Sequence, residues 1–241
     1  SVVSQRYQVV QPREILEFYR DLTEVSGFQL ETAGVLKAGR KVWALAKTNQ
    51  SAQIKGNDQM QGYLLLATAC DGSLATTAQF TSVRVVCNNT LAISLSEASQ
   101  AIKVPHNTLF DPAQVKAQLG LSVSSWDDFM YRMKKLAQRR VTSNEAETVI
   151  QRIFNPIANQ DSSQANSYAM RKVLDLFNGR GRGAELSSAK STAFGLVNAV
   201  TEYVDHYRRA RAVDNRLDSA WFGQGALTKQ RALSRVSALI A

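Results

Sequence analysis

Cys70, Cys87, His106 and His206 are the only thiols and imidazoles among 241 residues, and they bound the chemistry this chain could carry. They stand 17, 19 and 100 residues apart, so no close pair has the spacing of a zinc site. Two histidines leave little material for a Ser–His–Asp or Cys–His hydrolase. Asp127-Asp128 and Glu145/Glu147 are the local carboxylate clusters, and both fall in predicted first turns of helices. Favourable helix-end charge explains them without a divalent-ion nuclease. The run Gly179-Arg180-Gly181-Arg182-Gly183 lacks the Lys-Ser/Thr of a phosphate-binding loop and follows no strand. No catalytic constellation emerges, and the expectation is a protein that is not an enzyme and uses no metal or cofactor.

Cations are the other chemical resource. Lys and Arg outnumber Asp and Glu by 29 to 20, a formal charge of +9. Residues 1–120 carry 11 basic and 9 acidic side chains, whereas residues 121–241 carry 18 and 11. A basic half suits nucleic acid or anionic lipid, and equally a soluble cationic surface. Three places concentrate the question. Arg84 lies inside the strand-like run from Phe80 to Leu91, where an unpaired buried charge would be very costly. It is either ion-paired at a strand-to-helix joint, with Asn88-Asn89 at the joint and Thr90 opening a helix, or it faces a phosphate or base. The Gly-Arg-Gly-Arg-Gly run reads as a flexible linker, and compatibly as a mobile loop whose Arg180 and Arg182 meet a polyanion. In Tyr203-Val204-Asp205-His206-Tyr207-Arg208-Arg209-Ala210-Arg211, Asp205 is spaced to pair with Arg209, leaving Arg208 and Arg211 without such a partner. Basic residues beside Tyr203 and Tyr207 suit a single strand, whose backbone needs cations and whose bases stack on rings. His206, four residues after Glu202, has an i,i+4 partner, and Cys87 reads as a buried strand residue.

The elements that must position these groups differ between the halves. A strand is predicted over 7–10, and Pro12 opens a helix carrying Ile15, Leu16, Phe18, Tyr19, Leu22 and Val25 at helical spacing. Gly27 ends it. Alternation through Phe28, Leu30 and Thr32 predicts a strand, and the turn Ala38-Gly39-Arg40 leads into another over 41–48. A polar loop is predicted over 49–58, then strands over 63–69 and 77–86 about a turn at Asp71-Gly72. The second half is helical. Trp126, Phe129, Met130, Met133 and Leu136 form one stripe, and Thr142-Ser143-Asn144-Glu145 matches a capping box. Helices follow over 164–177, 188–212 and 226–241. The expected fold class is α+β: a mainly antiparallel sheet region over 1–105 and a helical region over 106–241 packing on it as one composite domain. No apolar run approaches the roughly 20 residues of a membrane span. The start Ser1-Val2-Val3-Ser4 has no initiator Met or signal core, so a fragment of a longer, cytoplasmic protein is expected.

Ser4-Gln5-Arg6-Tyr7-Gln8-Val9-Val10-Gln11, the segment from Thr81 to Leu91, Asn198-Ala199-Val200-Thr201-Glu202-Tyr203-Val204-Asp205-His206, and Phe222-Gly223-Gln224-Gly225-Ala226-Leu227-Thr228-Lys229-Gln230-Arg231-Ala232-Leu233 resemble the phage/plasmid-like protein family, a domain of unknown function. The resemblance spans nearly the whole chain, with Phe194-Gly195 standing where Trp-Gly is the family's habit. It implies no active-site residues. It implies a setting, mobile elements in a bacterial host cell, where replication, recombination, partition and evasion of host defence dominate. Joined to the order of strands and helices, that setting suggests a Rad52-like core that anneals single-stranded DNA without ATP or metal, as a homo-oligomer with no membrane partner. The expected nucleic-acid contacts are Arg40, Lys41, Arg84, Arg180, Arg182, Arg208 and Arg211. The competing expectation is a protein-interaction module for anti-restriction or host takeover, using an exposed apolar patch around Trp221-Phe222.

Overall fold

Short turns between β-branched runs build the first part of the molecule. The structure, a computed structural model, describes residues 27–93, 102–105, 126–155 and 164–240, with Gln11, Arg13, Glu14, Glu17 and Arg20. Arg13, Glu14, Glu17 and Arg20 are helical, as Pro12 and the spacing predict. The strand expected over 7–10 and the apolar stripe of that helix lie outside the described residues, as does His106.

Six strands form one antiparallel sheet: β1 (Gln29–Leu36), β2 (Lys41–Lys55), β3 (Asp58–Ala69), β4 (Thr76–Arg84), β5 (Asn89–Ala92) and β6 (Ile102–Val104). The order is β1-β2-β3-β4-β5, with β6 also pairing β4. β1 and β2 are in register from Gln29↔Lys47 to Leu36↔Lys41, with an irregularity between Leu30 and Thr32. The polar loop expected over 49–58 is instead strand. Asn49, Ser51, Gln53 and Lys55 are exposed while their alternate neighbours are half-buried or buried, so polar composition masked a period of two. Gly56, at φ +58, makes the tight turn into β3.

Thr90 does not open a helix: residues 85–88 turn tightly, with Asn88 at φ +55 and its N–H donating to the Arg84 carbonyl at 2.9 Å, and the chain returns as β5. Cys87 is buried in that turn rather than in a strand.

The chain divides into two compact units, and the division is not a single cut. One holds 1–51, 61–83 and 92–129. The other holds the hairpin ends 52–60 and 84–91 together with 130–241. In the first, Ala44, Ala46, Leu64, Leu66 and Ala78 form a buried cluster that Phe28, Ile102 and Val104 pack against. Phe80 meets Trp126 edge-on, ring centres 6.1 Å apart.

The second unit is built on helices. α1 (Trp126–Gln138) begins in the first unit and continues into the second, and its stripe is buried as predicted. Thr142 caps α2 (Ser143–Phe154), its side chain accepting from the Glu145 N–H at 3.3 Å. α3 (Gln164–Asp175) runs into a π-helical turn, Leu176–Arg180, whose helical geometry breaks at Asn178 and at Gly179, φ +115. The helix expected over 188–212 is shorter at both ends. Thr192 caps α4 (Ala193–Glu202), accepting from the Gly195 N–H at 3.1 Å, and a second π-helical turn, Tyr203–Tyr207, ends it. Every residue of α4 is buried, the polar Asn198, Thr201 and Glu202 included. α5 (Val213–Phe222), absent from the sequence-based expectation, precedes α6 (Gln224–Ser237). α6 packs against α2, α4 and α5, and α2 against α3. Among the described residues no helix is long and apolar enough to cross a membrane.

Candidate nucleic-acid interface

Two of the seven expected contacts are withdrawn from solvent. Arg84 is 1% exposed, and its guanidinium donates to both oxygens of Asp58 at 2.7–3.0 Å. It also donates to the Gly183 carbonyl at 3.0 Å and stands over the Phe194 ring, 5.2 Å from its centre. Ser188 completes the cluster, its hydroxyl donating to Asp58 at 2.6 Å. The expectation that Arg84 touches phosphate is therefore corrected: its charge is compensated within the fold, as a buried ion requires. Lys41 opens β2 at 7% exposure, so it too is not an open surface cation. Arg40 sits in the preceding turn with most of its side chain exposed. Its Nε donates to the Lys37 carbonyl at 3.0 Å, and Nη1 stands 3.9 Å from Asp71. The Ser73 hydrogen bonds hold the Asp71 carboxyl below the usual range.

The glycine-arginine loop is not a loose linker. The Arg182 N–H donates to Glu202 at 3.0 Å, and Arg84 holds the Arg182 and Gly183 carbonyls from the other side. A Cβ on Gly181 would stand 2.8 Å from the Leu176 carbonyl oxygen and 3.0 Å from the Glu202 carboxylate, so the backbone needs glycine there. Arg180 and Arg182 remain exposed on this tethered backbone.

Arg208 lies elsewhere, in a cleft of about 1070 Å³ within the helical unit. α3 contributes Tyr168 and Arg171, three apart and so on one face. α6 contributes Gln224, Thr228 and Arg231, at i, i+4 and i+7. The second π-helical turn closes with the Arg208 N–H donating to the Tyr203 carbonyl at 2.7 Å, and there the chain leaves the helix. That exit brings Tyr203, Arg208 and Arg209 to the cleft. Four arginines and two tyrosines line it, and no carboxylate is among the described lining residues. Arg211, which is not among the lining residues, is exposed.

Contacts orient these side chains. Arg231 donates to the Ile153 carbonyl at 2.8 Å, satisfying an orphan acceptor near the end of α2. Arg209 sits over the Tyr168 ring, 4.8 Å from its centre, and Lys172 over the Tyr207 ring at 4.1 Å. Burial pushes the Tyr203 hydroxyl up against the opposing pull of Arg208 and Arg209.

Asp205 does not pair with Arg209. It accepts from the Thr90 N–H at 2.8 Å and from Lys229 Nζ at 2.8 Å, which leaves Arg209 to the aromatic ring. His206 turns to the Cys87 carbonyl at 3.2 Å instead of to Glu202, and burial holds its imidazole below the usual value. Burial also pushes the Cys87 thiol up to about 11, which keeps it protonated and unreactive.

Sequence reasoning missed Tyr168, Arg171, Arg209 and Arg231. A signal existed for the last: Gly225, Lys229, Ala232, Leu233 and Val236 are the buried face of α6, which leaves Gln224, Thr228 and Arg231 on another. Trp221 and Phe222, the expected apolar patch, are half-buried and stack edge-on at 6.0 Å. Among the described residues no three His, Cys, Asp or Glu side chains group as metal ligands.

A family model described as a domain of unknown function (DUF932) matches residues 1–221. No curated protein and no solved structure matches the chain.

Proposed function

The chain belongs to the DUF932 family, a domain of unknown function, and we propose that it binds single-stranded nucleic acid, DNA above all, without ATP or metal. The observation that carries this reading is the helical-unit cleft, where Arg171, Arg208, Arg209 and Arg231 stand with Tyr168 and Tyr203 and no acidic side chain is among the described lining residues. Arginine matches phosphate geometry with paired donors, and tyrosine supplies a face for bases. Arg180, Arg182 and Arg211 add exposed cations to the same unit, and Arg40 adds one to the sheet unit. Binding without a catalytic step fits strand annealing of the Rad52-like kind, in the phage or plasmid setting that the sequence resemblance implies. The protein-interaction alternative would use Trp221 and Phe222, which are half-buried.

Fluorescence anisotropy with a labelled single-stranded oligonucleotide across a salt series tests the proposal. Affinity is expected to fall as salt rises, and each arginine contact removed should flatten the slope of log K against log salt by about 0.7. Arg171→Ala and Arg208→Ala are the variants to compare. Absence of binding at about 50 mM salt, or an affinity indifferent to salt, would falsify it.

A further inference from the structure

We infer that Arg209, laid over Tyr168, is a stacking platform for an unpaired nucleobase, so that the cleft recognises bases as well as backbone; this rests on the function proposed above. Three observations point there. Arg209 is exposed although its guanidinium is held over the Tyr168 ring, so the pair is already ordered while one side of it stays open to solvent. Single-stranded nucleic acids are held by bases stacked on aromatic rings and on guanidinium planes, and an ordered platform loses less freedom on binding. Second, Asp205, spaced to neutralise Arg209, is committed to Thr90 and Lys229, so Arg209 keeps its charge beside the stack. Third, Lys172 over Tyr207 makes a parallel contact between α3 and the π-helical turn, holding the segment that delivers Arg208 and Arg209. Arg171 and Arg208 then stand in the same cleft for the flanking phosphates.

The experiment separates base from backbone. Three anisotropy titrations at fixed salt use a thymidine oligonucleotide of about 12 nucleotides, within the roughly 4–16 that single-strand modules cover, an abasic oligonucleotide of equal length, and polyglutamate. The full chain should bind the thymidine strand about tenfold more tightly than the abasic one, and polyglutamate more weakly still. Tyr168→Leu should erase most of the difference between the two strands, because the thymidine strand loses its stacking surface and the abasic strand has no base to stack. Arg209→Lys, which keeps the charge and loses the planar group, should narrow the same difference, and it provides the reading if Tyr168→Leu does not fold. Equal affinity for thymidine and abasic strands overturns the stacking platform and leaves single-strand binding standing. Polyglutamate bound as tightly as DNA also overturns it, pointing to an acidic protein partner. Binding of neither strand overturns both this inference and the function beneath it.

Discussion

Arg84 and Arg208 are chemically identical groups that the fold uses in opposite ways. Arg84 sits among Asp58, Ser188 and the Gly183 carbonyl, sealed from water, and its charge does mechanical work by tying hairpin ends to the 181–188 loop. Arg208 stands in a cleft with three further arginines and no described carboxylate among its lining residues. The difference lies in the neighbours. A buried cation is tolerated only with full compensation, whereas surplus positive charge is sustainable only where water or a ligand reaches it. Net charge alone therefore says little about binding until each arginine is assigned to one of these two regimes.

The sharpest way to break the contrast is Asp58→Ala, which leaves Arg84 buried without its carboxylate and Ser188 without its acceptor. Stability should fall by about 3–5 kcal/mol in urea denaturation. The double variant Asp58→Ala/Arg84→Met should recover much of that loss, because removing both charges removes the uncompensated one. Lys229→Ala comes next. Asp205 keeps its Thr90 donors but loses its ammonium partner, an expected cost of about 1.5–3 kcal/mol read from the same measurement.

Cleft arginines should behave oppositely. Arg171→Ala and Arg208→Ala should move stability by no more than about 0.5 kcal/mol while weakening oligonucleotide binding and its salt dependence. A large stability loss in either variant would place that arginine with Arg84 and undo the comparison.

The smallest effects concern pH. Glu202 is 2% exposed, with one oxygen on the Arg182 N–H and the other buried without a hydrogen-bond partner among the described residues, and burial pushes its carboxyl above the usual 4.5. A raised acid stabilises the fold below its unfolded value, and that stabilisation is lost as pH rises through the folded one. Glu202→Gln should then be at least as stable as the parent at neutral pH, with its relative advantage shrinking towards and below pH 4.5. His206 has the opposite sign. Its imidazole is held below 6.5, so its contribution is complete above that value and is lost as pH falls through the folded one. Thermal melts of His206→Gln should show a gentler decline than the parent on that acid limb.

Much of the fold was legible from periodicity. The stripe from Trp126 to Leu136, the Thr142 cap and the antiparallel strands follow from local patterns, and the structure bears them out. Where composition competed with period, period was right: residues 49–55 are polar and still alternate as a strand. The cleft was legible only in part. Arg208 and Tyr203 were visible because they crowd one short segment. Tyr168, Arg171 and Arg231 come from helices distant in sequence, and no local spacing links them.

The amino-acid order by itself determined the fold class, the Thr142 cap, the poverty of thiol and imidazole chemistry, and the surplus of cations in the second half. These depend on neighbours within a few residues or on counting. Which cations are compensated and which are presented was decided only in the tertiary structure. Asp58 reaches Arg84 across 26 residues, Ser188 reaches Asp58 across 130, and Lys229 reaches Asp205 across 24. A charge is neutralised by what lies within a few ångströms, and that distance is set by folding rather than by position along the chain.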